Sequence, residues 1–274
     1  YLMLYSPILS ILRILPLIFW VIICLTTHFF NAFIFKRDFF IFYNLFFKGL
    51  VSIFGIKVKI SGKIDNKNIL YVANHISYLD VFILGAFVKG IFVAKSEIKN
   101  WPLINKISAL GRTIYVNRSK ILSIKEQINI LENYLKKKEN LILFPEGTSS
   151  DGSKVLPFKS SLFSLTEIEK LREYKVQPIS ISYSKIDGMP VEKKFRPFFA
   201  WFGNMDLISH AWKFLGLGLS EVDIKFHKPI KFNKFKDRKE ASKVCQNIIS
   251  DQVSLNYKDM SCADKIKLYE FKLL

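Results

Sequence analysis

The stretch NILYVANHISYLD, residues 68–80, passes within a few positions from an unbroken apolar run to a cluster of polar side chains. Residues 68–73 form a short run that is apolar after Asn68 and does not alternate, as in a strand covered on both faces. Ser77 and Asp80 then stand in the S-x-x-D relation of a helix capping box, which predicts a helix over 77–87 with Ser77 as its cap. His75 lies in the turn just before it. On a continuous helix, residues five apart differ by about 140° and do not meet. A turn ahead of Ser77 removes that obstacle and lets His75 fold back so that Asp80 accepts a proton from one ring nitrogen. The other nitrogen is then free to take a proton from a hydroxyl. A purely structural His–Asp pair fits the same spacing.

Outward from this stretch, residues 57–61, where Val58 and Ile60 alternate with Lys57, Lys59 and Ser61, read as a strand, and so do the segments 90–94, 113–116, 141–144, 176–183 and 221–226. Residues 98–108 and 120–138 read as helices, the second with Ile121, Ile124, Ile128, Leu131 and Leu135 on one side. Residues 237–250 read as a closing helix. Strands alternating with helices predict an α/β body with a mixed, largely parallel sheet flanked by helices. In such a body the loops at strand ends carry the chemistry. Three loops qualify, those after residues 73, 116 and 144.

The second loop places Arg118 just beyond a strand, where a guanidinium makes a fork for phosphate oxygens; a surface arginine is the plainer reading. The third contains FPEGTSS, residues 144–150. Pro145 ends the strand, and Gly147 allows a tight backbone approach. Glu146, an acid at the end of a buried strand, calls for a specific partner: a backbone N–H, an arginine or a substrate hydroxyl. Lys159, in an otherwise apolar segment, is a second candidate cation. No G-x-S-x-G elbow is present. The four histidines show no H-x-x-x-H or H-E-x-x-H spacing, so no metal site is expected.

The N-terminal region differs in character. Residues 14–35 carry no charge, and at helical rise they are long enough to cross a hydrocarbon core of about 30 Å. The run is too long for an ordinary signal sequence, and both a full span and an in-plane helix remain open. A second apolar run, 39–56, carries Phe39, Phe40, Tyr43, Phe46, Phe47 and Leu50 at helical spacing. It reads as an interfacial helix, with a core helix of the following body as the alternative. The expected division is thus 1–56 for membrane-anchoring helices, 57–250 for the catalytic body and 251–274 for a peripheral segment. Lys36, Arg37, Lys48, Lys57 and Lys59 beside the apolar runs favour a cytoplasmic position for that body.

Half of the 274 residues are hydrophobic, 26 of them Phe, and the formal charge is +18. The apolar excess suits contact with lipid. The charge suits anionic membranes, although a codon bias toward Lys, Asn, Ile and Phe gives the same composition. No zinc-finger spacing, GxxG clamp or aromatic–basic signature accompanies the charge, so nucleic acid is not an expected partner. Three scattered cysteines, with no CxxC, point away from a disulfide framework.

Four blocks together resemble the glycerolipid acyltransferase family of PlsC-like 1-acylglycerol-3-phosphate acyltransferases: NHISYLD with His75 and Asp80, GRTIYVNR with Gly111 and Arg118, FPEGTSS with Glu146, Gly147 and Thr148, and QPIS with Pro178 and Ile179. The likeness covers roughly residues 57–230 in order and spacing. It implies the glycerolipid acyltransferase fold behind N-terminal membrane helices, and a site on the cytoplasmic side of a bacterial inner membrane. His75, oriented by Asp80, would deprotonate the free hydroxyl of a lysolipid. That oxygen would attack the thioester of acyl-CoA or acyl carrier protein, with no cofactor. Arg118 would bind phosphate, and Glu146, Gly147 and Thr148 would shape the acceptor pocket. The family often has Arg after FPEGT, where Ser149 stands here. Lys159, Lys154 or Arg112 would have to compensate, or the acceptor is not lysophosphatidate. The resemblance implies 1-acyl-sn-glycerol-3-phosphate as the acceptor and phosphatidic acid as the product; the FPEGTSSDG form and the WFGNMDLISH segment, residues 201–210, resemble lyso-ornithine-lipid acyltransferases and make a lyso-ornithine lipid, or another lysolipid, the alternative.

Overall fold

A computed structural model describes residues 4–35, 42–95, 110–116 and 122–271. The expected helix 98–108 and Arg118 lie outside the described residues. The described strands are β1 (Ile56–Gly62), β2 (Ile69–Ala73), β3 (Ile91–Lys95), β4 (Thr113–Val116), β5 (Leu141–Leu143), β6 (Lys175–Ile186), β7 (Met189–Pro190), β8 (Ser220–Phe226) and β9 (Ile230–Lys231). The helices are α1 (Pro7–Phe35), α2 (Tyr43–Ile53), α3 (Leu79–Phe87), α4 (Leu122–Lys136), α5 (Leu207–Leu215) and α6 (Arg238–Phe271). One sheet runs in the order β1-β8-β6-β2-β5-β3-β4, with β7 and β9 paired to β6. From β6 to β4 every neighbour is parallel. β8 turns antiparallel against β6, and β1 runs parallel to β8.

Two apolar layers enclose the sheet, and the alternation of strand side chains distributes residues between them. From β2, Ile69, Tyr71 and Ala73 join a core formed with α2, α3 and α5. Leu70 and Val72 face the opposite core, with Leu131 and Leu135 of α4 and Ala241, Cys245, Ile249 and Val253 of α6. Burial on both sides is why this strand reads as a continuous apolar run. The same division shapes β6. Ile179, Ile181 and Tyr183 point to the first core. Ser182 instead accepts a hydrogen bond from Asn256 of α6 at 3.0 Å.

Two expectations change. The second apolar run forms a core helix rather than an interfacial one. Tyr43, Phe46, Phe47, Leu50 and Val51 of α2 are buried, and the helix lies along α3 with Asn44 donating to the carbonyls of Gly85 and Val88 at 2.6 and 3.1 Å. Amphipathic spacing was legible, but it does not say what the apolar stripe meets. The closing helix, in turn, runs unbroken from Arg238 to Phe271, through position 250. Val253 and Tyr257 continue the four-residue spacing of Cys245 and Ile249 onto the same core.

Helix α1 is long and apolar enough to cross a membrane. It starts at Pro7, so Arg13 lies inside it, and the guanidinium turns onto the body. There it donates to the carbonyls of Leu215 and Leu217 at 3.1 and 2.6 Å. Ser10 adds a bond to the Trp212 carbonyl, and Trp20 one to that of Phe46, each at 3.0 Å. Ile8, Leu12, Leu15 and Phe19 remain exposed on the outer side.

At the crossing of α2 and α3, a β-carbon on Gly85 would lie 2.2 Å from the ring of Phe47. That ring is itself fixed between Phe46, Phe82 and Phe92. Gly85→Ala is therefore expected to cost about 1–3 kcal/mol of stability, the usual penalty for overpacking. Chemical denaturation of the detergent-solubilised protein measures it, and an unchanged midpoint would show that the two helices separate freely.

Candidate active site

The reactive loop leaves the C-terminal end of β2, and its neighbour leaves the C-terminal end of the adjacent parallel strand β5. Both therefore emerge at one edge of the sheet. His75 Nδ1 lies 3.0 Å from Asp80 Oδ2. The His75 side chain is 18% exposed and the Asp80 side chain 0%, so the carboxylate is sealed while the imidazole reaches the surface. Its ring stacks on Phe144, with centroids 4.1 Å apart. Nδ1–H donation to Asp80 leaves Nε2 as the proton acceptor, with no partner among the described residues.

Asp80 does more than meet the histidine. Its Oδ2 also accepts the backbone N–H groups of Ile76 and Ser77 at 2.6 and 2.9 Å. Its Oδ1 accepts the hydroxyl of Tyr183 at 2.8 Å. The predicted cap is corrected here. The helix starts at Leu79 rather than Ser77, and the Ser77 hydroxyl is buried without a hydrogen-bond partner among the described residues. The Asp80 carboxylate takes over the free N–H groups ahead of the helix, and the turn tightens with Asp80 N–H donating to the Ser77 carbonyl at 3.0 Å.

The backbone of His75 is held from the β5 loop. Its N–H donates to Glu146 Oε1 at 2.7 Å, and its carbonyl accepts the Ser150 N–H at 3.0 Å. The other Glu146 oxygen accepts the Leu156 N–H at 2.9 Å. Of the three partner types open to this acid in the sequence, the described structure supplies backbone N–H groups. Asn74 fixes the loop to β6, donating to the Ile181 carbonyl at 3.0 Å and accepting the Ile181 N–H at 2.8 Å.

The remaining candidates separate by position. Gly147 has φ +73° and is crossed by Lys159: a β-carbon there would lie 2.8 Å from Lys159 Nζ. Thr148, Lys154 and Lys159 are exposed on the same segment. Arg112 sits at the opposite end of β4 from the site loops and pairs with Glu139 at 2.8 Å. That geometry removes it as a replacement for an arginine at 149. β4 ends at Val116, two residues short of Arg118.

The acyltransferase family model matches residues 55–182. The lyso-ornithine lipid O-acyltransferase of Brucella abortus is 32% identical over 209 residues, covering 74% of this chain and 78% of the relative. The chain belongs to the acyltransferase family. A 1-acyl-sn-glycerol-3-phosphate acyltransferase of Neisseria gonorrhoeae is 37% identical over 158 residues, 58% of each chain. The fold is shared with the crystal structure of the 1-acyl-sn-glycerophosphate acyltransferase PlsC from Thermotoga maritima. That match has a TM-score of 0.60 and 23% identity, over 89% of this chain and 96% of the other.

In this acyltransferase Glu146 is also electrostatically unusual. Burial raises its carboxyl from the ordinary 4.5 to about 7, nearby Asp80 adds to the rise, and the N–H groups of His75 and Leu156 act against it. An acid whose pKa is raised on folding contributes stability that is present at low pH and lost as pH rises through the folded value. Glu146→Gln does not titrate, and its amide sets an NH2 against one of the two N–H donors, at a cost of about 1–3 kcal/mol. Thermal denaturation across pH 4 to 8 should show the wild type losing ground to this variant between about pH 4.5 and about 7 and levelling off above that. A gap that stays constant over that range would refute the buried titration.

Proposed function

We propose that this acyltransferase moves a fatty acyl chain from a thioester donor, acyl-CoA or acyl carrier protein, to the free hydroxyl of a membrane lysolipid. The observation that carries the reading is the imidazole with one nitrogen bound to a sealed carboxylate and the other turned to a partly open surface. His75 Nε2 takes the hydroxyl proton as the oxygen attacks the thioester carbonyl carbon. Asp80 stabilises the imidazolium that forms. The C–S bond then breaks, the ester carbonyl re-forms, and the imidazolium returns its proton to the departing thiolate. No acyl-enzyme is needed, and no cofactor enters.

For the acceptor we favour a lyso-ornithine lipid. Two observations support this. The alignment with the Brucella enzyme extends over 74% of the chain, against 58% for the neisserial one. Ser149 stands where a second guanidinium would meet a phosphate. An ornithine headgroup offers one carboxylate and an ammonium, and so asks for less positive charge than a phosphate. Lys159, lying across Gly147, is the cation we assign to the acceptor's anionic group, with Thr148 beside it. Glu146 shapes the pocket by fixing the backbone on both sides of it. Arg118, carried over from the resemblance, has the same headgroup role. A second reading, acylation of 1-acyl-sn-glycerol-3-phosphate to phosphatidic acid, is supported by the higher identity of the neisserial match. The apolar α1 and the lysines beside the apolar runs support attachment to the cytoplasmic face of a bacterial inner membrane.

Thiol release from acyl-CoA should appear only when lysolipid is added. His75→Ala should lower that release by about 10²–10⁴-fold, the span of a lost general base, without loss of folding or membrane attachment. An alanine variant at wild-type rate would sink the mechanism. Lyso-ornithine lipid and lysophosphatidate, offered side by side with each donor, discriminate the acceptors. Turnover confined to lysophosphatidate would replace the first reading by the second.

A further inference from the structure

Both oxygens of the Asp80 carboxylate are bound, and only one of them faces the imidazole. Oδ2 already accepts three donors, from His75, Ile76 and Ser77. Oδ1 accepts the hydroxyl of Tyr183, 103 residues away in sequence. Asp80 is 0% exposed, so water from bulk solvent does not stand in for a missing donor. A sealed carboxylate with an empty oxygen is costly and is free to turn about its terminal torsion. Tyr183 itself is held in place. Its ring packs on Phe199 with centroids 5.3 Å apart, and the strand that carries it is bonded to the reactive loop through Asn74 and Ile181.

We infer that Tyr183 is a positioning residue of the transfer reaction. Its hydroxyl fixes the plane of the Asp80 carboxylate and draws charge from it, and so sets how strongly Asp80 holds the proton-bearing imidazole. This rests on His75 acting as the base in the reading above. Too strong a hold would keep the imidazolium from returning its proton to the thiolate, and a carboxylate turned out of plane would lose the imidazole altogether. Burial and the negative charge of Asp80 push the Tyr183 phenol well above its ordinary range, so it stays a donor throughout the working pH. The other titratable or charged groups around this point are His75, Tyr78, Glu146, Asp151, Arg196 and Tyr257. They are common to wild type and variant, so a difference between the two isolates the one hydroxyl.

The experiment measures kcat, KM and the pH–rate profile of Tyr183→Phe in the full-length, membrane-bound protein, with the lysolipid that the wild type accepts. kcat should fall about tenfold, the scale of one hydrogen bond to a charged group. KM for donor and acceptor should stay within about twofold. The acid limb of the profile should move to higher pH by about half a unit or more, because an unrelieved Asp80 holds the imidazolium more tightly. A merely structural tyrosine would change thermal stability and leave the acid limb where it was. Site-specific replacement of Tyr183 by 3-fluorotyrosine keeps the shape and sharpens the donor, so it answers the question even where Phe fails to fold. It should move the acid limb to lower pH. In the Asp80→Asn background, Tyr183→Phe should add nothing further to the loss of kcat. An acid limb unmoved by both replacements overturns the assignment. Wild type that turns over no lysolipid overturns instead the functional reading on which it rests.

Discussion

A single sealed carboxylate ties this structure together. Asp80 receives four donors, and they come from two parts of the chain: the reactive loop, through two backbone N–H groups and the imidazole it carries, and β6. Burying an ionised group with any acceptor position empty costs several kcal/mol, and hydrogen bonds to a charge are among the strongest that a protein makes. The loop after β2 therefore has little freedom. The constraint that settles the carboxylate also settles where His75 must stand.

The sheet makes this constraint achievable. β2 has β5 on one side and β6 on the other, both parallel to it. Its outgoing loop thus meets the outgoing loop of β5 and runs beside the continuing length of β6. Glu146 and Ser150 grip the backbone of His75 from the β5 side. Ile181 and Tyr183 grip Asn74 and Asp80 from the β6 side. The imidazole is consequently held by its neighbours' backbone as much as by its own pair. A base held this way loses little freedom when a substrate arrives, which is the origin of much of the advantage of a preorganised site.

Much of this was legible in the sequence, and the rest was illegible for specific physical reasons. β2 and β5 declare themselves because strands covered on both faces leave no room for polar alternation. The meeting of His75 with Asp80 follows from a turn placed ahead of a helix. The failed Ser77 cap reflects a tighter turn that a motif does not weigh: the Asp80 N–H, which a capping hydroxyl would accept, donates to the Ser77 carbonyl, while the Asp80 carboxylate accepts the N–H groups of Ile76 and Ser77. The core position of α2 was hidden because an amphipathic stripe names no partner. Tyr183 and Asn74 were hidden because their partners lie 103 and 107 residues away. In sequence Tyr183 is simply the next member of an inward-facing series after Ile179 and Ile181, and only its hydroxyl distinguishes it. The length of α6 was readable after all, in the four-residue spacing of Cys245, Ile249, Val253 and Tyr257.

The placement of α1 follows from the same economy of unsatisfied groups. A charge inside an apolar helix would ordinarily mark the end of any stretch suited to lipid. Here Arg13 is turned inward, where the free carbonyls at the end of α5 accept it. A cation at the C-terminus of a helix is electrostatically favourable, so the interaction satisfies both sides. From Ser10 to Cys24, about 21 Å of helix, α1 keeps one side against the body while Leu12, Leu15 and Phe19 face outward. The body therefore cannot stand clear of whatever apolar phase takes the outer side of α1. Since α1 contacts α2, and α2 lies along the helix bearing Asp80, a short chain of packed helices connects that apolar surface to the carboxylate.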